Sequence, residues 1–183
     1  MKPLSWIVLL FSIEATCFAQ APDPDAQASK FTLSSSAIGK DNVLPPEFTG
    51  DGAGISPPLK WTKGPAGTKS YAVIMHHIDR EGLVKWYWTL WDIPPSVTEL
   101  PKNSKKIGTL GTNEMNRDLA YAPPHSKGPG TRTYVITVYA LLAVPKLDVP
   151  AWRVNRAVLL TAMKGLILDQ AELKVTHTSK GNP

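Results

Sequence analysis

Three side chains within four positions, His76, His77 and Asp79, carry the strongest local chemistry in this chain. Imidazole and carboxylate groups suit proton transfer, metal ligation or the holding of a polar ligand. Metal ligation meets a geometric obstacle, because neighbouring side chains on an extended strand point to opposite faces and His76 and His77 cannot close on one ion. His77 and Asp79 share a face, but two ligands do not complete a metal site. Nucleophilic catalysis has less to build on. Ser56 and Ser126, the latter beside His125, lack the spacing of a triad or of a strand-turn-helix elbow. The Gly50 to Gly54 cluster lacks the Gly-Lys-Ser/Thr of a phosphate loop, so it implies no nucleotide cofactor. His125, in a Pro/Gly loop, and His177, in the tail, read as exposed side chains without a role. The expectation is a protein that binds rather than catalyses and that needs no cofactor or metal.

Candidate ligand-holding residues need rigid elements behind them, and three runs supply the signal. Residues 71–76, 86–93 and 133–142 are rich in Val, Ile, Thr, Tyr or Trp and are bounded by Gly or Pro, which predicts central β-strands. In the second run, strict alternation puts Trp86, Trp88 and Leu90 on one face and Tyr87, Thr89 and Trp91 on the other. Both faces are then covered, as in a sandwich or a sheet beneath helices. Phe31-Thr32-Leu33 predicts a short first strand, apolar spacing after Pro150 a helix over about 151–165, and Ala171 to Thr176 a final strand. The Pro/Gly-rich intervals between strands are loops that a rigid sheet can hold as a binding rim.

The chain has 183 residues and a formal net charge of +5. Lys2, the apolar run Trp6 to Ile13 and Cys17-Phe18-Ala19 stand in the order of an export signal, so residues 1–19 are expected to be a signal peptide and the mature chain to begin near Gln20. Glu14 interrupts the apolar run, which is too short to cross a bilayer, so no integral membrane span is expected. Lipid attachment at Cys17 is the minor alternative to soluble export to a periplasm or the exterior. Removing this segment removes the only cysteine, excluding an internal disulfide or a thiol nucleophile from the mature domain. Lys2 and Glu14 leave together, so the charge stays at +5. That is too modest and too scattered for a nucleic-acid partner, and the Lys102, Lys105, Lys106 cluster reads as a solvated loop. Residues 20–30 read as a flexible mature N-terminus, 31–178 as one domain and 179–183 as a tail.

Several motifs in series resemble the phosphatidylethanolamine-binding protein family, in particular its bacterial Raf-kinase-inhibitor-like branch. They are Ile55-Ser56-Pro57-Pro58-Leu59-Lys60-Trp61, Pro65-Ala66-Gly67-Thr68-Lys69-Ser70-Tyr71, Trp86-Tyr87-Trp88-Thr89-Leu90-Trp91-Asp92-Ile93-Pro94, Ala122-Pro123-Pro124 with Arg132-Thr133-Tyr134 and Val138-Tyr139-Ala140-Leu141, and Met163-Lys164-Gly165-Leu166-Ile167-Leu168 with Ala171-Glu172-Leu173. The resemblance implies a mainly β fold, a β-sandwich with peripheral helices including a C-terminal one. It also implies a small pocket at the edge of the central sheet that binds phosphate or a phospholipid headgroup in relatives.

The pocket motif is where this chain departs from the family. The family's Asp-Pro-Asp-x-Pro turn corresponds to His77-Ile78-Asp79-Arg80-Glu81, and its pocket histidines fall on Tyr87 and Arg132, a third on Leu166. Polarity is exchanged rather than deleted, since Arg132 supplies a charged fork suited to phosphate or carboxylate and Tyr87 a hydroxyl donor. A remodelled pocket for a small anionic or phosphate-bearing ligand would comprise His77, Asp79, Tyr87, Tyr121 and Arg132. The open alternative is that Arg132 pairs with Asp79 and seals the pocket. Relatives that inhibit kinases or proteases add a second possible role, a protein-interaction module acting on an enzyme.

Overall fold

The computed structural model describes residues 30–125 and 128–180, so the expected export signal and most of the expected flexible N-terminus lie outside the described residues. The β-branched and aromatic runs form long antiparallel strands: β3 (Ser70–Ile78), β4 (Val84–Ile93) and β7 (Gly130–Leu141). With β6 (Thr109–Leu110) and β8 (Ile167–Ser179) they build a five-stranded sheet in the order β6-β4-β3-β7-β8. The three predicted central strands are therefore neighbours. A second sheet pairs β1 (Leu33–Ser34), β2 (Leu59–Trp61) and β5 (Glu99–Leu100) in the order β1-β2-β5.

Both faces of the large sheet are covered. Phe31, Leu33, Leu59, Trp61 and Leu100 from the small sheet and its approach pack with Tyr71, Val73, Met75, Trp88 and Ile136 in the main core. Trp61 meets Tyr71 edge-on, with ring centroids 5.5 Å apart, an orientation favoured by the ring quadrupoles. On the opposite face Ala72, Ile74, Trp91, Tyr139 and Leu141 receive Leu159 and Met163 from the helix α1 (Arg156–Met163).

Three local features differ from the sequence expectation. The helix is shorter than 151–165: a 3-10 turn at Ala151–Arg153 precedes it, and the Asn155 side chain accepts the Val158 N–H at 2.9 Å, setting the N-terminus there. Gly165, with φ +77°, reverses the chain after Met163 in a conformation that disfavours other residues. The last strand is longer than 171–176, because it pairs with β7 from Leu141↔Ile167 to Gly130↔Ser179 and this ladder overrides the weak propensity of Leu168-Asp169-Gln170. Alternation in β4 also fails. The register passes from Met75↔Trp88 to His76↔Trp86, so Tyr87 is the extra residue of a β-bulge. Tyr87 consequently joins Trp88 in the main core, while Trp86 borders Asn155, Arg156 and Ala157 on the helix side.

Pairing between β3 and β7 ends at His76↔Val135. Each strand nevertheless continues with its outer partner, β3 with β4 to Ile78↔Val84 and β7 with β8 to Gly130↔Ser179. The sheet forks at this end.

Candidate functional site

The fork opens a cleft of about 610 Å³ between the β3–β4 tip and the β7–β8 tip. His77, Asp79, Arg80, Arg132 and Lys174 are among its lining residues. Three of the five predicted site residues, His77, Asp79 and Arg132, thus meet at one opening. Tyr87 and Tyr121 lie behind it on the small-sheet face, where Tyr134 links them to the opening. The Tyr134 ring stands 5.2 Å from that of His77 and 5.1 Å, edge-on, from that of Tyr87. Tyr121 packs edge-on against Trp88 and donates its hydroxyl to the Phe48 carbonyl at 2.7 Å.

The polar groups at the opening are committed to different degrees. Asp79 Oδ1 accepts the Glu81 and Leu83 N–H groups at 3.0 and 2.8 Å, so this carboxylate builds the hairpin turn. His77 Nδ1 lies 2.8 Å from the Thr133 carbonyl, which only accepts, so Nδ1 carries a proton and donates to it. Arg132 is half-buried, and among the described residues it forms no ion pair with Asp79 or any other carboxylate. Among the described residues its guanidinium makes one long hydrogen bond, 3.4 Å to the Gly128 carbonyl. Most of the donors on its fork have no acceptor among the described residues.

Burial raises the Tyr87 and Tyr134 phenols above the ordinary range, so both remain protonated donors at physiological pH. The Tyr134 hydroxyl is fully buried beside the Tyr87 hydroxyl. Tyr121 is raised by the same cause.

Three residues at this end were not expected to take part. His177 lies on β8 directly across from Arg132 and is only 7% exposed, which corrects its assignment to an exposed tail. Its Nε2 is 3.4 Å from Asp51 Oδ2, and the other oxygen of Asp51 is 3.5 Å from His125 Nδ1. Asp51 therefore stands between two imidazoles brought from two different segments. Gly50 makes this approach feasible: its N–H donates to the Pro124 carbonyl at 2.9 Å, and a Cβ there would lie 2.6 Å from the His125 Cβ. His177 was within reach of the sequence, since Ala171, Leu173, Val175 and His177 continue one period-two face. Burial lowers the His177 pKa; Asp51 acts against that shift, while His125 and Arg132 add to it. Among the described residues no group of three or more His, Cys, Asp or Glu side chains is placed to hold a metal ion.

Comparison with known proteins gives one consistent result. Residues 34–178 match the family model described as phosphatidylethanolamine-binding protein. A UPF0098 protein of Methanothermobacter thermautotrophicus is 33% identical over 147 residues, covering 77% of this chain and 94% of the relative. Among solved structures, the phosphatidylethanolamine-binding protein homologue CT736 of Chlamydia trachomatis superimposes with a TM-score of 0.73 at 28% identity, over 82% of this chain and 98% of that one. YbcL of Escherichia coli, described as a new member of the mammalian family of such proteins, gives 0.72 at 25% identity, over 82% and 99%.

Proposed function

The chain belongs to the phosphatidylethanolamine-binding protein family, and from that premise we propose that it binds a small phosphate- or carboxylate-bearing ligand at the forked end of its large sheet. The observation that carries this function is Arg132, a half-buried residue lining the cleft whose guanidinium has no carboxylate partner among the described residues. A buried cation without a counter-ion is costly, and an incoming anion removes that cost while gaining charge-assisted hydrogen bonds. Arg80 and Lys174 on the same cleft reinforce the positive field; Asp79 and Glu81 oppose it, Asp79 with an oxygen already engaged by its own turn.

Calorimetric titration with inorganic phosphate and phosphorylated headgroups tests this function. The expected outcome is measurable binding that weakens with salt and falls about tenfold or more in Arg132→Ala. Unchanged affinity in that variant would contradict it. The role is binding rather than catalysis, and turnover of any bound phosphate ester, abolished by His77→Ala, would overturn that part. Action outside the cytoplasm is supported by the N-terminal residue pattern, and N-terminal sequencing of exported material should begin near Gln20. Among the described residues no helix is long and apolar enough to cross a membrane.

A second function, docking on and inhibiting an enzyme, is favoured by apolar side chains at the rim. Ile78 and Leu83 on the β3–β4 tip are 58% and 52% exposed beside the cleft. Leu83→Ser should release such a partner while leaving phosphate affinity unchanged.

A further inference from the structure

We propose that an anion bound at Arg132 draws a proton onto His177, so that the site holds its ligand between a permanent cation and one created by binding. This rests on the anion-binding function above and adds to it both a regulator, pH, and a ligand class, the doubly charged terminal phosphate.

The geometry begins with strand register. Arg132 and His177 are direct partners across β7 and β8, and such partners share a face with Cβ atoms roughly 5 Å apart. His177 Nε2 is buried and has no hydrogen bond among the described residues, although Asp51 Oδ2 lies 3.4 Å away. The charged or titratable groups facing His177 are Arg132 from β7 and Asp51 and His125 from the two loops. In the free protein burial holds the pKa of this imidazole below its ordinary value; Asp51 acts against that shift, and His125 and Arg132 add to it. A dianion at Arg132 cancels the arginine's repulsion and adds an attraction of its own. The proton then comes from solvent, and the Asp51 carboxylate, 3.4 Å from Nε2, offsets the charge that forms on the ring.

The consequence is selectivity by charge. Two adjacent cations favour a dianion over a monoanion, because Coulomb interaction scales with the ligand's charge in a poorly solvated site. A terminal phosphate monoester or inorganic phosphate, carrying about −1.5 to −2 at neutral pH, gains more than the singly charged phosphodiester of an intact phospholipid headgroup. Linkage fixes the sign. The bound-state pKa of His177 lies above its free-state value, so affinity is greatest below the free value and falls, by up to about tenfold per pH unit, as pH rises towards the bound value.

The test is calorimetry of the whole protein with sulfate, which does not itself titrate in this range, and with inorganic phosphate, O-phosphorylethanolamine and glycerophosphoethanolamine. Each is titrated at about pH 7 in two buffers of different ionisation enthalpy. The expected result is that sulfate binding takes up a fraction of one proton, that His177→Gln abolishes the uptake while Arg132 still binds, and that the monoester binds more tightly than the diester. Should His177→Gln fold poorly, the ring resonances of the unaltered protein serve instead, with the His177 titration moving to higher pH on saturation with sulfate. Binding without proton uptake, or uptake that persists in His177→Gln, would overturn the linkage and leave the anion site standing. A diester preferred over the monoester would overturn the ligand class and point to the lipid headgroup. Failure of all four compounds to bind between about pH 5.5 and 8 would remove the anion-binding function itself.

Discussion

The large sheet has two ends that solve opposite problems. At the end where β3, β4 and β7 stay paired, Tyr71, Ala72, Val73, Ile74 and Met75 are essentially inaccessible and are sealed between the small sheet and α1. At the forked end the same strands carry His77, Arg132 and Tyr134, whose polar groups are only partly engaged with one another. One continuous set of strands therefore acts as a packed scaffold in one half and as a mount for unfulfilled hydrogen-bonding capacity in the other. A site gains precision from strands held rigid elsewhere, which is what the paired half supplies.

If that division is right, substitutions in the two halves should separate stability from binding. The largest effect is expected from Trp88→Ala: the side chain is fully buried, and its loss should cost about 3–5 kcal/mol in denaturant unfolding. Arg132→Ala should leave unfolding within about 0.5 kcal/mol of the original while reducing phosphate affinity about tenfold. Equal loss of stability in both variants would erase the distinction.

How much of this was legible in the sequence follows the same division. The paired half was readable because β-branched and aromatic runs, covered on both sides, announce central strands without reference to distant residues. The bulge at Tyr87 was not, since a bulge is a mismatch between two strands and exists only once their register is set. At the forked end, Arg132 and His77 emerged from where the motifs departed from their family pattern. His177 falls beyond the expected strand because strand propensity stops near Thr176, although the alternation from Ala171 continues through it. The placement of Asp51 against His125 had no local signal. It depends on two loops meeting through the Gly50 to Pro124 hydrogen bond.

A smaller effect sharpens the boundary between the halves. Tyr121→Phe removes the hydrogen bond to the Phe48 carbonyl and should cost about 0.5–1.5 kcal/mol of stability, with phosphate affinity nearly unchanged. A large loss of affinity instead would bring Tyr121 into the ligand's first contacts.

The smallest expected effect is in pH. His76, on the helix side, and His177 both have pKa values lowered by burial, so the fold favours their neutral forms. That contribution to stability is present above the ordinary imidazole pKa of about 6.5 and is lost as pH falls through the lower folded values. The urea midpoint should therefore drop between about pH 7 and 5, less so in His177→Gln. A midpoint that rises on acidification would contradict the assignment of both rings as buried and neutral.

The most direct test of the forked end as the anion site is to map phosphate binding residue by residue by titrating the isotopically labelled protein in solution. The backbone signals of His77 to Glu81 and Thr131 to Thr133 should move together and saturate with one affinity, along with the Arg132 side-chain N–H. Those of the paired half and of the exposed Lys102, Lys105 and Lys106 loop should stay in place. Saturable shifts centred on that lysine loop, with the fork unmoved, would contradict the account.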